Sequence, residues 1–267
     1  MNSPLIAMAT GLAFWAQIAS AHEFWISPEE YQVLPDARLQ AHLRVGQEFD
    51  GNSYSFFPNR FVRFDTGPVA ALAPVDGRLG DRPALSVTAQ EPGLWLVVHE
   101  TTDNTLIYRD WTKFEAFVAR HDLGPVIAAH HVRGLPEVDF RETYRRYGKS
   151  LIAVGDGAGA DRRVGLAVEI VAEANPYALD GATLPVRMWQ DGAPRGGAQL
   201  EVFTRLAGEV SYATFRSDAD GRVDLPAPRG AEILLNFVVL DPRDGNVAAK
   251  EPVWHSRWAS LTFRIPD

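Results

Sequence analysis

Short apolar or alternating runs, separated by turns rich in proline, glycine and aspartate, limit the fold of this chain more than any other feature. In the segment LQAHLRVG, Leu39, Ala41, Leu43 and Val45 share one face, and the residues between them share the other. A period of two over this length predicts a half-buried strand. Comparable runs predict further strands at His22–Ser27, Arg60–Asp65, Leu85–Thr88, Leu94–His99, Thr105–Tyr108, Leu166–Val171, Leu184–Gln190, Gln199–Thr204, Val210–Arg216, Glu232–Leu240 and Ser260–Ile265.

The period changes in the middle of the chain, between residues 110 and 149. Two apolar stripes there have helical spacing: Trp111, Phe114, Phe117 and Val118, and then Phe140, Tyr144 and Tyr147. Apolar residues at intervals of three and four share one face of an α-helix. We therefore expect two or three short helices inserted between β-rich regions.

The order of these segments predicts a mainly β protein of two β-sandwich-like modules with a short helical insert between them. The segments DGAPRGGAQLEVFT and SDADGRVDLPAP resemble the strand and turn segments of immunoglobulin-like, transthyretin-like and carboxypeptidase-regulatory-like modules. The expected boundaries are an N-terminal β module at 22–109, a helical insert at 110–150, a linker at 151–163 and an Ig-like β-sandwich at 164–267.

The first 21 residues read as a cleaved secretory signal peptide. The run Leu5–Ile18 is apolar apart from Thr10 and Gln17, and the small-x-small site Ala19–Ala21 follows it. A membrane anchor needs about 20 apolar residues, which is longer than this run. We therefore expect a periplasmic protein that begins at His22 and has no stable membrane span after cleavage.

Charge and cysteine content narrow the function. The chain has 34 acidic against 26 basic residues, a net charge of -8, which argues against a nucleic-acid partner. It has no cysteine, so a metal site would use histidine, carboxylate, methionine or the chain's own amine. These ligands favour nickel, cobalt or copper over metals that need thiolates.

His22 is the strongest candidate ligand, because a terminal histidine can chelate one metal ion through its amine and its imidazole Nδ1. Partners are few among seven histidines. His42, on the polar face of its strand, and His99, at the end of an apolar strand, are the two we expect to complete the site. His121, His255 and the adjacent pair His130 and His131 rank lower, and Glu23 could act beside the metal.

Enzyme motifs are weak. Gly155, Gly157 and Ala160 have the G-x-G-x-x-A spacing of a dinucleotide fingerprint, but a turn and a strand follow where a Rossmann unit needs a helix. Asp218-x-Asp220-Gly221 lacks the remaining ligands of a calcium loop, so a hairpin turn is the better interpretation. We predict no catalytic residues and no enzyme activity. Aromatic residues of the first half could line a ligand groove: Phe24, Trp25, Tyr54, Phe56 and Phe57.

Several segments in order resemble a family of bacterial periplasmic proteins grouped under a domain of unknown function and described as the periplasmic component of cobalt/nickel uptake systems. They are AHEFWISP, LRVGQEFDG, FRETYRRYGKSLIAVG, LAVEIVAEANPYAL, DGAPRGGAQLEVF and WASLTFRIP. The resemblance implies a secreted, non-enzymatic β-rich protein that handles nickel or cobalt, with the family's initial histidine at His22.

The leading hypothesis is a periplasmic protein that binds nickel or cobalt, with copper as an alternative, for a membrane metal transporter. A second hypothesis is a structural or adhesive β-sandwich protein that binds a protein or glycan partner without metal. A third is a copper oxidase built around a histidine brace at His22.

Overall fold

The structure, a computed structural model, describes residues 23–267. The predicted signal peptide and His22 lie outside the described residues. The strands of the first half are β1 (Glu23–Pro28), β2 (Gln32–Val33), β3 (Ala37–Gln47), β4 (Asp50–Tyr54), β5 (Phe61–Pro68), β6 (Ala73–Pro74), β7 (Leu85–Ala89), β8 (Gly93–Thr101) and β9 (Asn104–Tyr108).

Two α-helices follow β9 within the described range: α1 (Trp111–Arg120) and α2 (Val126–Val132). Asp110 caps α1, because its carboxylate accepts a hydrogen bond from the backbone N–H of Thr112 at 3.1 Å. Neither helix is long and apolar enough to cross a membrane. The later strands are β10 (Phe140–Val154), β11 (Val168–Ala172), β12 (Thr183–Gln190), β13 (Ala193–Pro194), β14 (Gln199–Leu206), β15 (Glu209–Arg216), β16 (Arg222–Pro226), β17 (Glu232–Pro242) and β18 (Pro252–Arg264).

A ten-stranded sheet forms the centre of the molecule. Its main order is β15-β14-β17-β18-β10-β8-β5-β6, and β2 and β9 also pair with β10. β10 runs parallel to β18 and antiparallel to β8. One four-stranded sheet, β1-β3-β4 with β7 beside β3, covers part of the central sheet, and another, β11-β12-β13 with β16 beside β12, covers the opposite side.

The two sandwiches therefore share the central sheet, which has a core on each face. In β8, Leu94 and Leu96 pack into the core with the C-terminal four-stranded sheet, whereas Trp95 and Val97 pack into the core with the N-terminal one. Alternate side chains of a strand point to opposite faces. Burial on both faces explains why β8 is almost continuously apolar. Each fully buried Leu or Val contributes roughly 1.5–3 kcal/mol through removal from water.

The mainly β class with sandwiched sheets and a short helical segment is confirmed. Strands lie at all six predicted positions of the first half, within the described residues, and α1 and α2 lie inside the predicted insert. The helices pack on the central sheet through Phe114 and Phe117, which join a core with Phe140, Trp254 and Trp258.

One prediction in this region was wrong, because the stripe of Phe140, Tyr144 and Tyr147 lies in strand β10 and not in a helix. An interval of four residues returns to the same face of a strand as well as of a helix, so Phe140 and Tyr144 do not distinguish the two. Tyr147 is on the opposite face, in the core of the second sandwich.

The segment expected to be a linker also differs from its prediction. Its first four residues, Leu151 to Val154, are the buried end of β10, and residues 155–167 connect β10 to β11. The glycine-containing stretch that mimics a dinucleotide fingerprint is followed by irregular backbone and then β11, and not by a helix. Strands from both sides of the helical segment pair within the central sheet.

Candidate functional site

A cavity of about 160 Å³ opens between the N-terminal four-stranded sheet and the central sheet. Aromatic side chains from four elements line it: Phe24 of β1, Tyr54 of β4, Phe61 of β5 and Tyr144 of β10, together with Phe57 from the loop after β4. Pockets with mostly apolar walls and a few polar groups are typical of small-ligand sites.

His99 of β8 lies at the buried side of this pocket. It follows Trp95 and Val97 on the strand face that points between the two sheets, and it pairs across the ladder with Phe64. Its ring lies 4.6 Å from the ring of Phe61 and 5.2 Å from that of Phe24, measured between centroids. Only 1% of the residue is exposed.

Neither ring nitrogen of His99 has a hydrogen-bond partner among the described residues. Burial lowers the pKa of His99 from 6.5 to about 3, so the imidazole is neutral at pH 7. A buried polar group left without a partner costs about 1–3 kcal/mol of stability. The imidazole is therefore available to a ligand that enters the pocket.

Two arginines add positive charge to the same cavity. Arg60 ends a short 3₁₀ turn, Pro58–Arg60, between β4 and β5, and Arg146 lies in β10. The guanidinium of Arg146 is 4.9 Å from the ring centre of Tyr144, and its backbone N–H donates to Thr101 Oγ1 at 3.1 Å. Burial lowers the pKa of Arg146, which stays far above neutrality for any arginine. The pocket is therefore cationic as well as aromatic.

A buried polar cluster surrounds Glu23, the first residue of β1 and of the described range. Arg120 Nη2 donates to Glu23 Oε1 at 3.0 Å, and Arg120 Nε is 3.7 Å from Glu201 Oε1. Burial raises the pKa of Glu23 to about 7, although Arg120 opposes the shift. Asn236 Nδ2 donates to Glu201 Oε2 at 2.5 Å. This cluster ties β1 to α1, β14 and β17.

The structure does not bring His42 and His99 together. His42 lies between Ala41 and Leu43, which face the core, so its own side chain is on the outer face of β3. Its Nδ1 is 2.9 Å from Ser53 Oγ, and its Nε2 is 3.1 Å from Glu29 Oε1. His99 faces the space between the sheets, so the two imidazoles are separated by the N-terminal sheet.

The remaining histidines are in other places. Both ring nitrogens of His130 are bonded, while His131 is half exposed beside Glu137. His121 Nδ1 lies 3.2 Å from Glu201, and His255 Nδ1 lies 2.9 Å from Thr143. Over residues 23–267 no three histidine or acidic side chains are grouped closely enough to hold a metal ion. His22 lies outside that range, so a site that combines it with one of these histidines is not tested by this observation.

Sequence reasoning found part of the pocket. It named His99, and of the five aromatic residues proposed for a groove, Phe24, Tyr54 and Phe57 line the cavity. Trp25 and Phe56 are buried in cores instead. Arg146 was missed because its segment was predicted to be helical.

The fold and the pocket define a β-rich protein in which two sandwiches share one sheet, with a small cationic, aromatic cavity in the N-terminal sandwich. The chain belongs to the family described as "Domain of unknown function (DUF4198)", which matches residues 19–241. No curated protein matches the chain in sequence.

Solved structures give distant matches. The D0-D1 domain of intimin is 11% identical and aligns over 90% of this chain and 97% of its own, with a TM-score of 0.24. The BSP domain of a biofilm associated protein is 9% identical over 90% of this chain and 29% of its own, with a TM-score of 0.20. A tetra-tandem repeat from a large adhesion protein is 13% identical over 92% of this chain and 50% of its own, with a TM-score of 0.19. Scores this low do not define a shared fold.

Proposed function

We propose that this protein is a periplasmic binding protein that captures a divalent transition metal ion for a membrane transporter, with His22 and His99 as ligands. Nickel or cobalt is the expected metal, and copper is the alternative. The role is binding and not catalysis. The observation that carries the proposal is the buried, unbonded imidazole of His99 in a pocket that Phe24, two residues after His22, also lines.

The donor set fits such a metal. The amine and imidazole of a terminal His22 supply two nitrogen ligands, and His99 supplies a third. Metal binding requires a neutral imidazole, which the burial of His99 provides at pH 7. No protein hydrogen bond to His99 has to be broken first. The net charge of -8 favours the approach of cations over the longer range.

His42 is not part of the proposed site. Both of its ring nitrogens already lie within hydrogen-bond distance of Ser53 and Glu29, and its side chain is on the outer face of β3. His42 and His99 are therefore a matched pair of strand histidines, one expected to be dispensable for metal binding and the other required.

Calorimetric titration with Ni(II), Co(II) and Cu(II) tests the proposal, using protein whose first residue is His22. We expect a 1:1 complex with a dissociation constant below about 100 µM, equivalent to roughly 5.5 kcal/mol or more of binding free energy. His99→Leu should weaken binding at least tenfold, whereas His42→Leu should leave it unchanged.

A variant with an extended N-terminus tests whether His22 chelates the metal. An extra Ala placed before His22 should weaken binding strongly, because the imidazole and the amine then belong to different residues. Metal binding that survives both this extension and His99→Leu would sink the proposed ligand set. No metal binding tighter than about 100 µM would sink the proposal altogether and favour the metal-free adhesive alternative. N-terminal sequencing of the exported protein should show His22 as its first residue.

A further inference from the structure

A lysine and two acidic side chains meet in the interior of the second sandwich, away from the pocket around His99. Lys149 of β10 lies between Tyr147 and Leu151 on the face that points into the core with the C-terminal four-stranded sheet. Its Nζ is 3.0 Å from Asp161 Oδ1 and 3.1 Å from Glu169 Oε1. At most 1% of each of these three side chains is exposed. The amine and the two carboxyl groups are therefore in contact where bulk water is excluded.

Backbone hydrogen bonds hold the carboxyl group of Asp161 against the lysine. Asp161 lies in the connection between β10 and β11, and its Oδ1 accepts a hydrogen bond from the backbone N–H of Arg162 at 2.7 Å. Its Oδ2 accepts one from the backbone N–H of Ala172 at 2.9 Å. Burial raises the pKa of this carboxyl group, although Lys149 opposes the shift. A carboxyl group reacts with an amine in its protonated form, and burial favours that form.

Glu169 of β11 is the second acid in contact with the lysine Nζ. It accepts three backbone hydrogen bonds at 2.8–3.3 Å, from Val164, Gly165 and Leu166. These bonds fix its carboxylate beside the amine, where it can take and return a proton. A buried ion pair has a desolvation cost that its attraction offsets only in part. Conversion of the ion pair between Lys149 and Asp161 into a neutral amide removes that cost.

We propose that Lys149 and Asp161 form an intramolecular isopeptide bond, with Glu169 as the proton-transfer residue. The ammonium group of Lys149 passes one proton to the Asp161 carboxylate, and the lone pair of the neutral Nζ then attacks Cγ. A C–N bond forms, and one C–O bond breaks. Glu169 takes a second proton from the nitrogen and returns it to the departing hydroxyl, which leaves as water. The Glu169 carboxylate is regenerated, and the reaction needs no cofactor.

The arrangement assists this reaction in two ways. The amine and the carboxyl group are held in contact, so the entropy cost of bringing them together is met by folding. The N–H of Ala172 points at Oδ2 and stabilises the charge that develops there when Cγ is attacked. The bond ties β10 of the central sheet to the segment that leads into β11 of the C-terminal sheet. It involves no metal, so this inference is independent of the proposed function.

Mass spectrometry of the wild-type protein starting at His22 tests the proposal. We expect a mass lower by one water molecule than the sequence requires. Trypsin should release residues 147–162 as one peptide that lacks a water and is uncut after Lys149. Elastase cleavage within residues 151–154 should then leave the two halves joined. A full wild-type mass, with normal cleavage after Lys149, would overturn the proposal.

A lysine variant identifies the amine that reacts. Lys149→Arg keeps the positive charge but removes the amine, so it should show the full mass of its sequence. Lys250→Arg is the matched control, because Lys250 is exposed, and it should still lack one water. Loss of water that persists in Lys149→Arg would mean that Asp161 cyclises onto its own backbone, and the proposal would be wrong. If Lys149→Arg fails to fold, the wild-type peptide decides the question.

A glutamate variant tests the proton-transfer role. Glu169→Gln should lower the cross-linked fraction at least tenfold at equal times after synthesis, while circular dichroism matches that of wild type. Glu173→Gln is the control, because the Glu173 carboxylate pairs with Arg187 and Arg222, and it should cross-link completely. Complete cross-linking of Glu169→Gln would remove Glu169 from the reaction. If this variant does not fold, the wild-type peptide still tests the bond.

Discussion

Two buried histidines in different regions of the molecule have opposite surroundings. His130 of α2 is 0% exposed and fully bonded: Trp254 Nε1 donates to its Nδ1 at 3.0 Å, and its Nε2 is 3.0 Å from the carbonyl oxygen of Pro136. His99 is 1% exposed, and neither of its nitrogens is bonded. Burial alone therefore does not distinguish a structural histidine from one available to a ligand.

The difference in hydrogen bonding between His130 and His99 indicates that the region around His130 contributes to stability and the region around His99 to ligand binding. The region around His130 attaches the helices to β18 through satisfied polar groups, which makes each group costly to remove. The pocket around His99 already contains unpaired polar atoms, which reduce stability and leave the site ready for a ligand. Substitutions in the two regions should thus have opposite consequences.

The largest effect on stability is expected for His130→Leu. The substitution leaves the buried indole N–H of Trp254 and the carbonyl of Pro136 without their partner, at a cost of roughly 2–4 kcal/mol in the free energy of unfolding. Urea denaturation measures it. The neighbouring His131→Leu is the control, because His131 is 50% exposed, and it should change stability by about 0.5 kcal/mol or less. Similar losses of stability in His130→Leu and His131→Leu would contradict a structural role for the hydrogen bonds of His130.

A smaller effect is expected for Glu142→Gln, in the same region as His130. Burial raises the pKa of Glu142 to about 7, even though Ser256 and Tyr108 donate hydrogen bonds to it, Tyr108 at 2.9 Å. A raised carboxyl pKa stabilises the fold fully below about pH 4.5, and this contribution is lost as pH rises through about 7.

Glutamine does not titrate, so the variant should lack this loss of stability. We expect the free energy of unfolding of Glu142→Gln minus that of wild type to increase by about 1–3 kcal/mol as the pH rises from 4.5 to 8. Urea denaturation at several pH values checks this. Glu137→Gln, at a position 57% exposed, should show no such trend. Parallel curves for Glu142→Gln and wild type would contradict the raised pKa.

The smallest effect on stability is expected for His99→Leu. Leucine has a similar volume and removes two unpaired nitrogens, so stability at pH 7 should stay within about 1 kcal/mol of wild type or rise. The pKa of His99 is depressed to about 3, so wild type loses stability as pH falls from 6.5 towards 3, and the variant should lose less. A loss as large as that of His130→Leu would mean that His99 is structural.

Much of the fold could be predicted from local pattern. The alternation around Leu39–Val45 predicts β3, and the stripe that contains Phe114 and Phe117 predicts α1. β10 could not be predicted in the same way, because its polar residues find partners far along the chain. Lys149, 1% exposed, lies 3.0 Å from Asp161 and 3.1 Å from Glu169, so a charged residue is buried where polarity indicated solvent.

The candidate site, like the fold, was predictable from the sequence only in part. The sequence by itself determined the alternating apolar pattern that predicts strands and the lack of thiolate ligands. It also limited the candidate imidazole ligands to a short set of histidines that includes His42 and His99. Both are polar residues in strands, and period alone does not say which face is covered by a second sheet. Only the tertiary structure decided that His42 faces outward to Ser53 and Glu29 while His99 faces an aromatic cavity with Arg146. The reason is that hydrogen-bond partners and pocket walls come from distant segments, which meet only when the sheets pack.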